Sequence, residues 1–172
     1  WAAAVSGGHV GRARRLATDP EARDRRARAL GLARDAATPA RAYAAAEELV
    51  AAAEAEARAL TGGRNEAELE DLRTALGAGG TGKGAAGAMR GSVGALKDLE
   101  RRQKSRQTRA SRDALDRALL DLGAFFRDAL MIAGGASAVV PSHPDMAERA
   151  GALADHASPE QLLRCIEAVL AC

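Results

Sequence analysis

The chain has 172 residues, 47% of them apolar, with 25 cations against 23 acids and a formal net charge of +2. That length suits one domain, or one domain and part of another, and ordinary apolar content with so small a net charge excludes a disordered chain. Aromatics are only 2% while alanines number 44, which argues against β-sandwiches and barrels and favours helices packed through small side chains.

In chain order, the first element is a glycine turn, Ser6-Gly7-Gly8-His9, that opens a short helix with Arg12 in its first turn. An arginine there can reach out of the helix toward a phosphate. Further helix starts are marked by a capping residue before a proline at Asp19-Pro20, Thr38-Pro39 and Ser158-Pro159. Ser158 to Gln161 also reads as a capping box, and Ser142, before His143-Pro144-Asp145, is a weaker start. In the helix after Pro39, Tyr43, Ala46, Val50, Ala53, Ala57 and Leu60 form one apolar stripe, with Glu47, Glu48 and Glu54 off it. A short helix over roughly 65–76 carries Leu69, Leu72 and Leu76.

Eight glycines in the 18 residues from Gly77 to Gly94 predict a flexible loop. The longest helix is predicted from near Ser92 to about Ile132. Leu96 and Leu99 begin its stripe, and Leu115, Leu119, Leu122, Phe126 and Leu130 resume it as buried core. Gly123 inside it allows a close neighbour or a bend. Gly134-Gly135 breaks the pattern, and Leu162, Leu163, Ile166, Val169 and Leu170 form a last stripe. The prediction is five or six helices in an all-α helical bundle.

Charge comes in blocks. Seven arginines face three acids between Arg12 and Arg28, and eight acids face two arginines between Glu47 and Asp71. From Arg101 to Arg112 there are six cations (Arg101, Arg102, Lys104, Arg106, Arg109 and Arg112) and no acid. Such blocks mark faces with different surroundings. With only Ala110 apolar inside it, the last block is a solvated rod or a contact surface for a protein partner or nucleic acid. No aromatic is interleaved, so base stacking is not indicated. On a helix Arg102, Arg106 and Arg109 share a face.

Gly77 to Gly84 fits the spacing GxxxxGK, but Gly84 stands where a magnesium-binding hydroxyl is needed, and a helix rather than a strand precedes it. A linker is the better reading. His9, His143 and His156 are isolated, so neither a metal site nor a hydrolytic triad is expected. Cys165 and Cys172 would lie on one helix face about 10.5 Å apart along the axis, too far for a disulfide. Without a disulfide framework or signal peptide, a reducing cytoplasm is the expected compartment. The chain opens at Trp1 and closes within an apolar pattern at Cys172, which reads as a piece cut at both ends.

The Gly8-x-x-x-Arg12 element resembles the end of the lid domain of AAA+ ATPases, where a Gly-x-x-Arg pattern supplies the sensor 2 arginine to bound ATP. The spacing here is one residue longer. Leu99-Glu100-Arg101-Arg102-Gln103-Lys104-Ser105-Arg106, then Arg109, then Arg112 to Leu119, resembles the collar of the delta-prime family of bacterial DNA polymerase III clamp-loader subunits, in its actinobacterial form. Ser158-Pro159-Glu160 and Ile166 to Cys172 resemble a later helix of that family. The resemblance implies residues 1–37 as the end of a lid domain and 38–172 as a helical collar lacking its last helix. It implies assembly with tau/gamma and delta subunits into a ring that loads the sliding clamp at primed DNA. Arg12 would be the sensor 2 position, and Arg101, Arg102, Lys104, Arg106, Arg109 and Arg112 would be partner or DNA contacts. No catalytic residue, cofactor or membrane contact is implied for this piece, ATP belonging to the full loader. The alternative is a free-standing helical nucleic-acid-binding module built on 101–112. A phosphate-loop ATPase piece is a third.

The chain is therefore expected neither to bind nor to hydrolyse ATP by itself. Turnover by the pure chain, abolished by Lys83→Ala, is the result that would contradict this.

Overall fold

The computed structural model describes residues 1–35, 39–76, 85–136 and 138–172. Among them are six α-helices and no strand: α1 (Val10–Thr18), α2 (Pro20–Asp35), α3 (Pro39–Ala75), α4 (Ala85–Ala133), α5 (Ala147–Ala154) and α6 (Pro159–Leu170). The fold is all-α.

Local signals explain most boundaries. Gly7 and Gly8 take positive φ, 58° and 83°, and turn the chain into α1. His9 caps that helix, its Nδ1 accepting from the Arg12 amide at 3.1 Å. Asp19 serves two helices. Its amide donates to the Arg15 carbonyl at the end of α1, and its Oδ1 accepts from the Ala22 amide at the start of α2. The Ser158 capping box is formed in both directions. At the end of α4, Gly135 (φ 69°) allows a reversal in which the Ala136 amide bonds Met131 O and the Gly135 amide bonds Ile132 O. That is a Schellman pattern, and it needs a left-handed residue. Thr38 and Lys83, with the rest of 77–84, lie outside the described residues.

Three boundaries differ from the sequence reading. Ser142 caps nothing: its amide is held by Asp128 Oδ1 at 2.9 Å, and only a single 3-10 turn, Pro144–Met146, precedes α5. The expected separate helices before and after residue 62 are one helix, α3, running through Gly62-Gly63. Its flanks are tied down, by Thr61 Oγ1 on Ala57 O at 2.8 Å and by the Arg64–Glu68 pair at 2.8 Å. Finally, α4 starts at Ala85 rather than near Ser92. Ala85, Ala86, Ala88 and Met89 are strong helix formers that offset the glycines among them.

The described residues divide into two compact units, Trp1–Leu49 with Asp116–Cys172, and Val50–Leu115. Within the first unit α2 shares a core with the later helices. In the first unit Leu30 and Ala33 of α2 cluster with Phe125, Phe126 and Ala129 of α4, Met146, Ala150 of α5 and Leu162 of α6. A smaller cluster joins Val5, Leu16 and Ala22. The second unit pairs α3 and α4 antiparallel. Asn65 faces Gln103 and Arg106, and Leu72 and Ala75 share a shallow cleft with Leu99 and Arg102.

The apolar stripes need correcting in detail. On α3, Ala53 and Ala57 are buried, but Tyr43, Ala46, Val50 and Leu60 are exposed. The buried row steps by four, through Ala45, Ala53, Ala57 and Thr61. On α4, Phe126 is buried while Leu115, Leu119 and Leu122 are half-buried. Asp121, Phe125, Asp128 and Ala129 occupy the innermost positions instead. On α6, Leu162 is buried, and Leu163 and Leu170 face solvent. A Cβ at Gly123 would meet Val169 at an ordinary 3.5 Å, so no clash requires glycine there.

Leu162, 1% exposed, should lose about 2–5 kcal/mol of stability on change to Ala. Leu119→Ala should cost clearly less. Chemical denaturation of the two variants checks the order, and a larger loss at Leu119 would contradict this placement of the core.

Candidate functional site

Two clusters of charge stand out, one in each unit. In the unit Val50–Leu115, the basic stretch lies on uninterrupted α4. Arg101, Arg102, Lys104, Arg109 and Arg112 are exposed, whereas Arg106 is only half so. Arg106 turns toward α3, where Nη1 donates to Asn65 Oδ1 at 2.6 Å and Nη2 donates to both Glu68 oxygens at 2.9 and 3.0 Å. Hydrogen bonds from Arg64 and then Arg106 hold the Glu68 carboxyl below its usual range. Gln103 adds a bond to the Asn65 carbonyl at 2.8 Å. Arg106 is therefore a strut of the helix pair. Of the three residues expected on one face, Arg106 bonds α3 across the seam, Arg102 lines the cleft beside it, and Arg109 is exposed.

Of the remaining cations, Arg101 lies 3.6 Å from Asp98, and Arg102 Nε donates to the Asp98 carbonyl at 3.3 Å. Lys104, Arg109 and Arg112 have no ion pair among the described residues. Cations in such a row repel one another, and solvent and salt screen that repulsion.

In the other unit the sequence reading anticipated Arg12 alone. Its guanidinium is ion-paired with Asp121, and both side chains are largely buried. The arginine thus points into its own fold. Beside it lies a cluster the sequence reading missed. Arg26, 7% exposed, donates through Nη1 to Asp145 Oδ2 at 2.6 Å. Its Nη2 donates to Asp145 Oδ1 at 3.2 Å and meets His143 Nδ1 at 2.8 Å. Arginine only donates, so His143 Nδ1 accepts. His143 Nε2 then carries the hydrogen and donates to the Asp121 carbonyl at 3.0 Å. The Trp1 ring covers the Arg26 guanidinium at 5.7 Å. Asp128, 3% exposed, accepts from the amides of Ser142 and His143 at 2.9 and 2.8 Å.

The cluster binds α1, α2, α4 and the turn before α5 into one polar knot. Its one unmatched donor is Arg26 Nε, 3.9 Å from Asp121 Oδ2. Faint signals existed in the sequence: Asp121 and Asp128 sit seven apart inside an apolar stripe, and His143-Pro144-Asp145 follows a glycine break. Apart from Arg26 Nε, the charged and polar groups of the knot bond others of this chain, so its chemistry is structural.

A groove of about 1300 Å³ lies in the same unit, lined by Leu30, Phe125, Phe126, Leu153, Leu162 and Cys165. Burial raises the Cys165 thiol above its usual range, so it is no ready nucleophile. Both cysteines are free. Among the described residues no group of three or more His, Cys, Asp and Glu is placed to hold a metal ion. No helix there is long and apolar enough to cross a membrane.

No family model matches the chain, and no curated protein or solved structure matches it.

Removing Arg26 leaves Asp145 without its cation and His143 Nδ1 without its donor, while Asp121 keeps Arg12. Arg26→Gln should therefore cost about 3–5 kcal/mol by denaturation, and a loss below about 1 kcal/mol would sink the structural role. Burial opposes ionisation of Asp145, but hydrogen bonds from Arg26 and Trp1 outweigh it and hold the carboxyl below its usual 3.8. A carboxyl lowered in the folded state adds stability above its unfolded value and loses it as pH falls through the folded one. Stability should thus fall as pH drops below 3.8, with a shallower fall in Asp145→Asn, measured as thermal midpoint against pH.

Proposed function

We propose that this chain is part of a clamp-loader subunit of the delta-prime kind, serving assembly rather than catalysis. The observation that carries the reading is the resemblance of 99–106, Arg109 and 112–119 to the collar of that family, and of 158–160 and 166–172 to its later helix. The all-helical build agrees with it, since a collar is a helical oligomerisation domain. On this reading residues 38–172 join tau/gamma and delta subunits in a cytoplasmic ring that places the sliding clamp at primed DNA. Residues 1–37 are the end of a lid domain, and Arg12 is its sensor 2 counterpart. The Arg12–Asp121 pair favours a fixed, non-hydrolysing subunit, because a nucleotide would have to break that pair. Catalysis and ATP belong to other subunits.

A free-standing nucleic-acid-binding module is the second reading. The solvent-facing cations of α4 favour it, and it predicts no protein assembly.

The deciding experiment is co-expression with tau/gamma and delta subunits of an actinobacterial loader, followed by size-exclusion chromatography. Co-elution as a defined complex is expected. Elution of the chain alone under all conditions would remove the loader reading. Because Arg106 is a strut against Glu68, its reversal to Glu should lower the thermal midpoint, whereas reversing Arg109 and Arg112 should leave it nearly unchanged. Equal effects would show that the stretch is uniform.

A further inference from the structure

We propose that the outward face of α4 between Arg101 and Arg112 binds the sugar-phosphate backbone of duplex DNA without reading its sequence. The choice of DNA rests on the proposed function, but not on ring assembly.

The geometry begins with the helix. Successive residues turn by about 100° and rise by about 1.5 Å. The inward side is marked by Gln103, Arg106 and Ala110, each partly covered. Directly opposite fall Arg101, Ser105, Thr108 and Arg112, all exposed. Lys104 flanks this row on one side, and Arg102 and Arg109 flank it on the other, also exposed. The result is a straight strip about 16.5 Å long by helix rise, free of glycine and proline from end to end. Asp98 and Asp116 lie on the same face just beyond its two ends. The strip thus has defined limits.

Its chemistry discriminates between occupants. A protein interface of useful affinity needs apolar or aromatic anchors at its centre. This face has none: its seven residues are five cations and two hydroxyls. Phosphate oxygens ask only for cations and hydrogen-bond donors, and Arg, Lys, Ser and Thr are the side chains that serve them. Nothing on the strip can read a base edge by apolar contact, and no aromatic can stack on a base. Single-strand binding relies on such stacking platforms, so a rigid row of charge without them suits a duplex better than a flexible strand. Three of the cations, Lys104, Arg109 and Arg112, form no ion pair among the described residues. Displaced counterions would supply most of the driving force.

The test uses the whole 172-residue chain and a short duplex of arbitrary sequence, with binding followed by fluorescence anisotropy between ~50 and ~200 mM salt. If all five cations meet phosphates, the plot of log affinity against log salt should have a slope of about −4.5. Arg101→Gln with Arg109→Gln and Arg112→Gln should bring the slope to about −1.8 and weaken low-salt binding by about tenfold or more. A control with Arg14, Arg58 and Arg73 changed to Gln has the same net charge and should bind like the parent. Circular dichroism verifies folding, and the double variant of Arg109 and Arg112 stands in if the triple does not fold. Scrambling the duplex sequence should change nothing. The proposal is overturned by no binding at low salt, by equal losses in strip and control variants, by tighter binding to a single strand than to the duplex, or by loss of co-elution with loader subunits in the strip variant while DNA binding is unchanged. Failure to bind DNA leaves the assembly test standing, and failure to assemble leaves this one standing.

Discussion

A guanidinium cannot enter a helical core unless every group around it is arranged for its charge, and the unit Trp1–Leu49 with Asp116–Cys172 is arranged around Arg26. Isolated burial of such an ion would cost several kcal/mol even after relaxation. Here the cost is met by a bidentate Asp145, by His143 in a fixed tautomer, by the nearby Asp121 and by the Trp1 ring. The partners come from three stretches of chain: Trp1, Asp121 and the turn holding His143 and Asp145. The ion therefore couples the amino-terminal segment, α2, α4 and the turn before α5. A purely apolar contact at the same place would tolerate sliding, whereas these hydrogen bonds have directions and fix one arrangement.

The apolar clusters work within that arrangement. Asp128 holds two successive amides, those of Ser142 and His143, and so fixes the turn from which Met146 and α5 enter the core. Phe125 and Phe126, with centroids 6.3 Å apart, supply bulk in a chain otherwise rich in alanine. The unit Val50–Leu115 solves a different problem. Among the residues whose burial is described, Ala53, Ala57, Leu99 and Ala114 are its buried apolar ones, and they remove little area from water. Polar struts fill the gap: Asn65, Glu68, Gln103 and Arg106 interlock across the seam.

The helical class and most helix ends were legible because they depend on local chemistry: capping at Asp19 and Ser158, the Gly7-Gly8 turn, and the Gly135 reversal. Which face of each helix is buried was less legible. Periodicity at 3-4 spacing assumes that the largest apolar residues turn inward, and on α3 alanine and threonine do so instead. A row stepping by four with small side chains lets a neighbour approach closely, and the larger Tyr43, Val50 and Leu60 are left outside. The buried ion knot was invisible for another reason. Its members are separated by more than a hundred residues in sequence, as with Arg26 and Asp145, and only tertiary packing brings them together. Arg12 was singled out, but its partner Asp121 read as an ordinary helix acid.

The basic stretch shows how sequence and structure divide the work. Sequence alone says that six cations without an acid cannot form core. It cannot say whether they are neutralised by the acid-rich helix before them. The geometry decides this by register. Of the acids on α3, Glu66, Glu70 and Asp71 are exposed, and Glu68 bonds Arg106 of α4. Had the acids stepped by four along the buried row, they would have met the cations and made an internal ladder. That row is instead filled by Ala53, Ala57 and Thr61, and the two charge blocks meet at Glu68 and Arg106. A chain whose only need was stability would gain by spreading these charges, because like charges three and four residues apart weaken a helix. Their concentration on one solvent-facing strip is a cost to the fold, and a cost of that kind is offset where an anionic surface meets the strip.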